Sequence, residues 1–445
     1  MPKIFCHSRI RISAFQTIIL GFICVILIGT VLLMLPCSTK ENICTSFHDA
    51  LFTAVSAVCV TGLIVKDTGS YWSTFGQTII ILLIQIGGLG VVTIAVVFAM
   101  LSGKKISLMQ RSTMQSSISA PKVGGIVRLT RFIVIGTLVI EGIGAVCMAP
   151  TFVTQYGVHG VWMSVFHSIS AFCNAGFDIL GTKKQPFVSL MHYANSPVIN
   201  IVIMSLIVIG GIGFLTWDDI YQHHLHFKKY RLQTKIVLMT TVLITLPALF
   251  FYVYDFQNLG LKDGLLAAFF QSITTRTAGF NSVDLTKMSE LSKAMMTVLM
   301  LIGASPSSTA GGMKITTFVI LLTNCIAVFR QQEETDLFSR KIGMQVIRNA
   351  ATIFIMYLFL CVFGAVLISL KDGFTLGECL FETASAVGTV GLTLGITTKL
   401  SCFSQNILIM LMFLGRVGGL TLIYATHKKT SKAYLKMPEE IVTVG

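Results

Sequence analysis

The chain has 445 residues, of which 54% are hydrophobic and 12% are charged, and its formal net charge is +14. Soluble domains carry roughly 25% charged residues, so this composition excludes an ordinary soluble protein. The positive charge does not indicate nucleic-acid binding, because many of the lysines and arginines are concentrated in a few connections between apolar runs.

Several apolar runs approach the roughly 20 residues that a helix needs to cross a bilayer. In chain order they are Ala14–Pro36, Thr78–Leu101, Ile126–Pro150, Pro197–Trp217, Ile236–Tyr254 and Ala350–Leu370. The first run is longer than the core of a signal peptide and lacks a clear cleavage site, so it predicts a retained helix. The sequence therefore predicts a multi-pass membrane protein.

Lysine and arginine gather in alternate connections between these runs. The basic connections are Lys104–Arg131, Lys228–Lys235, Arg330–Arg348 and Lys428–Lys436. The connections between them, such as Cys37–Gln77 and Thr151–Ser196, are poor in both residue types. Basic connections remain in the cytoplasm when a membrane protein inserts, so we expect both termini to be cytoplasmic.

Four segments of about a dozen residues resemble one another, and each runs from a Phe through Ser, Thr and Ala to a Gly. They are FTAVSAVCVTGL from Phe52, FHSISAFCNAGF from Phe166, FQSITTRTAGF from Phe270 and FETASAVGTVGL from Phe381, and they end around Gly62, Gly176, Gly279 and Gly391. Each lies between two longer apolar runs and is too short to span the bilayer, which favours a half-membrane helix followed by an extended loop.

This fourfold pattern predicts an all-α membrane protein with four tandem helix–pore-helix–helix repeats around a central pore. The predicted boundaries are 1–103, 104–228, 229–343 and 344–445. Backbone outside a helix cannot face lipid, so the four loops must converge on a shared axis. Carbonyl oxygens at such an axis can replace the water shell of a cation, and glycine reaches the required backbone angles most easily.

The second apolar run of each repeat contains glycines at a matching position. These elements are GGLG from Gly87, GGIG from Gly210, GASP from Gly303 and GRVGG from Gly415. In the third repeat GASPSSTAGG, Gly303–Gly312, puts a proline and small residues where a helix is expected. We expect this stretch to be a loop in the aqueous path below the filter, where it would act as a gate.

These motifs resemble those of the membrane subunit of bacterial Ktr potassium-uptake systems, in the Trk/Ktr/HKT superfamily of cation transporters. The resemblance covers essentially the whole chain and includes VTGL at Val60, NAGF at Asn174, TAGFNS at Thr277 and TVGLT at Thr389. It implies potassium uptake through a carbonyl-lined selectivity filter. Each segment has only one of the two glycines of a TVGYG filter, so some sodium permeation stays open.

The resemblance also implies which residues form the site. The filter residues are Val60, Thr61, Gly62, Asn174, Ala175, Gly176, Thr277, Ala278, Gly279, Thr389, Val390 and Gly391. The gate residues are Gly303, Ala304, Ser305, Pro306, Ser307, Ser308, Thr309, Ala310, Gly311, Gly312, Lys314 and Arg416. Arg416 is expected to contact the gate loop rather than to extend to water, and for Lys314 both readings stay open.

Partners follow from the same resemblance. It implies a homodimer in membrane lipid, with one pore in each protomer, on a cytoplasmic RCK-type ring that binds nucleotide. The basic faces His224–Arg231, Arg330–Arg348 and Thr426–Gly445 are candidates for docking that ring. The chain has no Walker A or GxGxxG motif in a strand-to-helix context, so we expect no organic cofactor here and nucleotide control through the partner. Sodium as an activator stays open.

Other charged residues have weaker interpretations. Asp49, Asp67, Asp178 and Asp284 could concentrate cations at the outer mouth, although each alone is typical of an ordinary surface acid. Arg276 is expected to brace a pore helix or loop, and Glu141 to bond a neighbouring helix. A metal site at His223, His224 and His226 has no second ligand cluster to support it.

Two other classes of function compete with a channel-like uptake protein. A sodium- or proton-coupled secondary transporter is the alternative, but such folds use inverted repeats, whereas the four segments here share one orientation. A membrane enzyme would need an HExxH motif, a nucleophile with a placed His, or paired intramembrane Asp residues, and the sequence has none of these.

Overall fold

A computed structural model of the chain describes residues 13–102, 106–118, 124–224, 226–243, 245–419 and 421. The helices of the first two repeats are α1 (Ala14–Met34), α2 (Phe47–Val58), α3 (Thr68–Tyr71), α4 (Thr74–Leu89), α5 (Val91–Leu101), α6 (Leu108–Ile118), α7 (Ile126–Tyr156), α8 (His159–Phe172), α9 (Pro197–Gly211) and α10 (Phe214–His223). Those of the last two are α11 (Leu232–Val242), α12 (Thr245–Phe251), α13 (Leu261–Thr274), α14 (Glu290–Leu301), α15 (Ile315–Phe329), α16 (Met344–Asp372), α17 (Leu376–Gly388) and α18 (Cys402–Val417). A two-stranded antiparallel hairpin, β1 (Asp336–Leu337) and β2 (Arg340–Lys341), precedes α16.

The first helix of each repeat is long and apolar enough to cross a membrane. These helices are α1, α7, the segment Leu232–Leu259 that contains α11 and α12, and α16. α1 starts at a capping box formed by Ser13 and Gln16. α7 continues through Pro150 to Tyr156, so the predicted end of this span at Pro150 is wrong. The fold is the predicted one, with four tandem repeats around a central pore.

The pore helices α2, α8, α13 and α17 have 12, 14, 14 and 13 residues. At 1.5 Å per residue, helices of this length cross only part of the roughly 30 Å hydrocarbon layer. α2 begins at Ser46, whose side chain accepts from the Asp49 N–H, and α17 begins at a capping box of Thr375 and Glu378. The C-terminal halves of the four pore helices are largely buried in protein.

The second helices share a serine at the N-cap and an interruption near the middle. The N-cap serines are Ser73, Ser196, Ser289 and Ser401. The chain bends by 96° between α4 and α5 and by 90° between α9 and α10. The runs Thr78–Leu101 and Pro197–Trp217 are therefore not continuous spans, which corrects the prediction from hydropathy.

The positive φ angle of a glycine explains each of the two bends. Gly90, Gly213 and Gly418 have φ angles of 88°, 90° and 85°, a region in which residues with a Cβ are strained. The corresponding residue of the third repeat is Pro306, and there the helix opens into the segment 302–314 between α14 and α15. The interruption predicted for the third repeat thus has counterparts at Gly90 and Gly213 in the first two repeats, and in the fourth repeat α18 ends next to the corresponding Gly418. The third repeat differs in the length of its interruption.

In the first, second and fourth repeats the first glycine of the element has a separate function in packing. A Cβ built on Gly87, Gly210 or Gly415 would meet the last-turn carbonyl of the pore helix in the same repeat, at Val58, Phe172 or Val387. The second helix can approach the pore helix this closely only without a side chain. This contact positions the end of the pore helix, from which the filter segment starts.

We predict that Gly87→Ala lowers the thermal midpoint of the purified protein in detergent, because the added methyl group overlaps the Val58 carbonyl and overpacking costs about 1–3 kcal/mol. Gly142→Ala is the matched control, because a Cβ on this helical glycine has no neighbour within 4 Å. Alanine is the better helix former, so the control should unfold at the same temperature or higher. Equal midpoints for the two variants would contradict the packing role of Gly87.

Candidate ion pathway

The segments that follow the four pore helices form a closed ring. A Cβ built on each filter glycine would overlap the carbonyl oxygen of the residue that precedes the filter glycine of the next repeat. The contacts run from Gly62 to Ala175, from Gly176 to Ala278, from Gly279 to Val390 and from Gly391 to Thr61. The fourth contact returns to the first repeat, so the four segments surround a single axis.

The backbone of the ring follows the same pattern in every repeat. The glycines have φ angles of 93°, 67°, 81° and 93° in chain order. The residues two positions earlier, Val60, Asn174, Thr277 and Thr389, also have positive φ, between 51° and 67°. Alternation between left- and right-handed angles turns successive carbonyl groups toward the same side. A β-branched residue such as Val60 adopts such an angle only under strain, and strain of this kind concentrates at functional sites.

A hydroxyl group in each pore helix ties it to the filter segment, a feature that the sequence analysis missed. The N–H groups of Gly62 and Gly391 donate to the Oγ atoms of Ser56 and Ser385 at 3.1 and 3.0 Å. In the second and third repeats the hydroxyls of Ser170 and Thr274 donate at 2.7 Å to the carbonyls of Phe177 and Phe280, which directly follow the glycines. The signal was present, because a Ser or Thr stands four residues after the Phe in each copy.

The loop Gly303–Gly312, predicted to be the gate and called the gate loop below, crosses directly beneath this ring. On one side the Ser305 N–H donates to the Gly211 carbonyl at 3.1 Å, in the second repeat. On the other side the Gly312 N–H donates to the Gly415 carbonyl at 3.1 Å, and a Cβ on Gly311 would overlap Thr389, the first filter residue of the fourth repeat. The loop therefore spans the pathway from the second repeat to the fourth.

The gate loop is enclosed by protein rather than exposed to lipid. Ser305 and Thr309 are 2% and 0% exposed. The hydroxyl of Thr309 donates to the Phe172 carbonyl at 3.0 Å, at the end of a pore helix. Partners of this kind satisfy backbone groups that lipid could not satisfy.

Arg416 joins three repeats through backbone carbonyls. Its Nη1 donates to the carbonyl of Thr309 in the gate loop, and its Nη2 donates to Gly87 and, at 3.1 Å, to Gly88 in the first repeat. No carboxylate pairs with it among the residues that the structure describes. The Nζ of Lys314 donates to the Ala310 carbonyl at 2.7 Å, so this amine braces its own loop rather than extending to water.

A cavity of about 250 Å³ adjoins the loop, with Arg416 and Lys314 in its lining. The end of α6 reaches the same place, where the Ser307 hydroxyl donates to the carbonyl of Ile118. The connection between the first and second repeats thus contacts the gate loop of the third. No local sequence pattern predicts this contact, because it joins residues far apart in the chain.

The acids predicted at the outer mouth make local contacts. Asp49 pairs with Lys66 at 3.6 Å and Asp284 with Lys287 at 3.3 Å. Asp67 accepts hydrogen bonds from the N–H groups of Ser70 and Phe187. Asp178 is 7% exposed and accepts from the Leu180 N–H at 3.1 Å.

The structure also shows the surroundings of Arg276, Glu141 and the histidine group, the three other features singled out in the sequence. The Arg276 side chain lines a small cavity with Ile207, Ala304 and Ser305, next to the start of the gate loop. Glu141 accepts a hydrogen bond from Gln85 at 3.2 Å, which links α7 to α4. Within the described part of the chain no group of three His, Cys, Asp or Glu side chains could hold a metal ion, and this includes His223, His224 and His226.

We predict that Asp178→Asn stabilises the protein increasingly as the pH rises. Burial, reinforced by the nearby Asp67 carboxylate, raises the pKa of Asp178 to about 7. An unfolded aspartate ionises near pH 4, so the wild-type fold loses stability as pH rises from about 4 to about 7, and the loss is constant above that. The difference in thermal midpoint, variant minus wild type, should grow between pH 5 and pH 7.5 and then level.

Asp284→Asn is the control for this prediction. The Thr286 hydroxyl, which donates to Asp284, holds the pKa of that carboxyl below its ordinary value. Stability from such a group is present above the unfolded pKa and is lost only at lower pH. This variant should therefore be no more stable than wild type, with a difference that does not change between pH 5 and pH 7.5. The same flat profile for Asp178→Asn would contradict the raised pKa of the Asp178 carboxyl.

Comparisons with known proteins agree with this geometry. A family model described as "TrkH: Cation transport protein" matches residues 7–436. The Ktr system potassium uptake protein B of Bacillus subtilis is 40% identical over 98% of both chains, and the potassium/sodium uptake protein NtpJ of Enterococcus hirae is 37% identical over 98% of both. The crystal structure of the potassium transporter TrkH from Vibrio parahaemolyticus shares the fold, with a TM-score of 0.74 at 17% identity, over 95% of this chain and 86% of that one.

Proposed function

The chain belongs to the TrkH family of cation transport proteins, and from this premise we propose that it carries potassium into the bacterial cell through the ring of filter segments. The observation that supports this most strongly is the cyclic contact of each filter glycine with a carbonyl of the next repeat. Carbonyl groups around one axis can replace the hydration shell of a monovalent cation. The relatives named for potassium uptake match over nearly the full length of the chain.

The filter in this proposal consists of three residues from each repeat, from Val60–Gly62, Asn174–Gly176, Thr277–Gly279 and Thr389–Gly391. Its four walls share backbone angles but have different side chains. A filter with one glycine per wall has fewer well-formed ion sites than a TVGYG filter, so sodium permeates to some extent. A relative named for both potassium and sodium uptake is in keeping with this.

The gate in this proposal is the loop Gly303–Gly312, held by Arg416. The loop crosses the axis next to Thr389, and a guanidinium bonded to the Thr309 carbonyl restrains it in this position. A cation cannot pass while the loop and two fixed positive charges, Arg416 and Lys314, lie below the filter. Opening then requires the loop to leave the axis. It also requires the carbonyl groups that accept hydrogen bonds from Arg416 to find new partners.

Orientation and assembly complete the proposal. The basic connections and both termini lie in the cytoplasm, where a nucleotide-binding ring of RCK type docks on a homodimer of this chain. The exposed hairpin side chains Arg340 and Lys341 belong to the proposed docking face Arg330–Arg348, and Arg231 to the face His224–Arg231. The third face, Thr426–Gly445, lies outside the described residues.

Two measurements test the function. A bacterium that lacks potassium uptake should grow at low external potassium when it expresses this chain with its regulatory subunit. Purified protein in liposomes should pass rubidium, a potassium analogue, down its own gradient. A flux that required an imposed sodium or proton gradient would support the coupled secondary transporter instead and overturn the proposal.

We predict that Gly62→Ser lowers the ratio of rubidium to sodium flux roughly three- to tenfold, equal to about 0.6–1.4 kcal/mol. The added Cβ overlaps the Ala175 carbonyl and displaces one wall of the ring. Gly377→Ser is the control, because a Cβ at this glycine near the start of α17 has no neighbour within 4 Å. Fluxes of both ions are measured side by side, and an unchanged ratio in Gly62→Ser would count against the filter.

We predict that deletion of Ala304–Gly311 raises flux about tenfold, which corresponds to removal of a barrier of about 1.4 kcal/mol. The shortened chain can close, because the Gly303 N–H already donates to the Met313 carbonyl at 2.8 Å. Ser308→Ala, which removes only a hydrogen bond inside the loop, is the control and should keep the wild-type rate. A deletion variant with the wild-type rate would show that the loop is no gate.

A further inference from the structure

The connection between the first two repeats contains a cavity that transport does not use. It has a volume of about 490 Å³, and its lining comprises Met100 of α5, Arg111 of α6, and Gly125–Arg128 and Arg131 at the start of α7. Three arginine side chains and no carboxylate line it. The cavity is therefore strongly positive.

These arginines have no salt bridge within the described part of the chain, and Asp218, which lines a neighbouring cavity with Arg128, pairs with Arg231 instead. The Nε of Arg111 is buried without a hydrogen-bond partner. Arg231, close by, pairs with both Asp218 and Asp219 at 3.3 Å. The chain thus provides acids for a neighbouring arginine but provides none, among the described residues, for these three.

The start of α7 adds to the positive potential of the cavity. Gly125, the N-cap residue, has a φ of 79°, makes no side-chain cap, and begins a helix of 31 residues without an acid in its first turn. The N–H groups of Ile126, Val127 and Arg128 have no acceptor among the described residues. Uncapped N–H groups at a helix N-terminus bind anions, and phosphate above all.

We infer that this cavity binds the phosphate group of an anionic phospholipid. A lipid fits better than a free anion because the two helices that contribute Met100 and Arg111 to the lining also carry exposed apolar side chains: Leu108, one turn before Arg111 in α6, is 77% exposed, and Phe98 in α5 is 65% exposed. Acyl chains can cover these side chains while the guanidinium groups hold the phosphate through paired hydrogen bonds. The inference rests on the proposed cytoplasmic orientation of this connection.

The test measures lipid binding to the purified full-length chain and needs no transport, so it can fail while the proposed function holds. Delipidated protein is titrated with phosphatidylglycerol or phosphatidylcholine, and retained lipid is counted by native mass spectrometry. Near a membrane surface each arginine contributes about a fivefold gain in affinity for anionic lipid. Arg131→Gln should therefore weaken phosphatidylglycerol binding about fivefold, and the triple variant R111Q/R128Q/R131Q should weaken it further, without affecting phosphatidylcholine.

The control variant R330Q/R340Q/R348Q removes three exposed arginines from another basic connection, so it makes the same change in charge. It should bind phosphatidylglycerol like wild type, and equal losses in the two triple variants would overturn the site. Glycerol 3-phosphate is the second arm. If it competes at the affinity of the lipid, the cavity takes a free anion and the lipid assignment is wrong. If the triple variant fails to fold, Arg131→Gln and Arg131→Lys decide, since lysine should restore part of the binding and glutamine none.

Discussion

The structure depends on one constraint, which is that backbone groups outside a helix cannot be left facing lipid. The four segments proposed as the filter and the loop proposed as the gate contain backbone outside helices, and each of them would be unstable alone in lipid. In the folded chain these segments are enclosed by one another and by the neighbouring repeats. The filter segments contact each other in a ring, and the gate loop binds the carbonyls of Gly211, Phe172 and Gly415 from its neighbours. The fourfold repeat therefore does more than hold these segments in place. Each repeat also supplies the contacts that shield the segments of the others from lipid.

Hydroxyl groups and one guanidinium group make polar contacts inside this enclosure. The hydroxyls of Ser56, Ser170, Thr274 and Ser385 hold the filter segments, and Arg416 binds three carbonyls with no acid nearby in the described structure. A guanidinium bonded only to carbonyls has a weaker hold than one in a buried ion pair, where loss of a partner is strongly destabilising.

Hydropathy and repeats in the sequence predicted the four first helices, the short pore helices and the glycines of the ring, because apolar length and periodic glycine are local properties. They did not predict the bends at Gly90 and Gly213, since GGLG and GGIG lie inside continuous apolar runs and hydropathy does not report backbone angle. The left-handed conformation of Val60 opposes its local preference and comes from tertiary packing. The contact of Ser307 with Ile118 joins two repeats, and no local pattern encodes it.

Because the four walls of the ring belong to one chain, the sequence of each wall can vary independently of the others. In a channel built from four identical subunits a single substitution alters all four walls at once. Here the walls are covalently distinct, so one substitution alters a quarter of the ring, and a polar side chain such as Asn174 can occur in one wall only. The ring can therefore change in small steps, and the four walls are free to diverge, provided that each keeps its glycine against the carbonyl of the next.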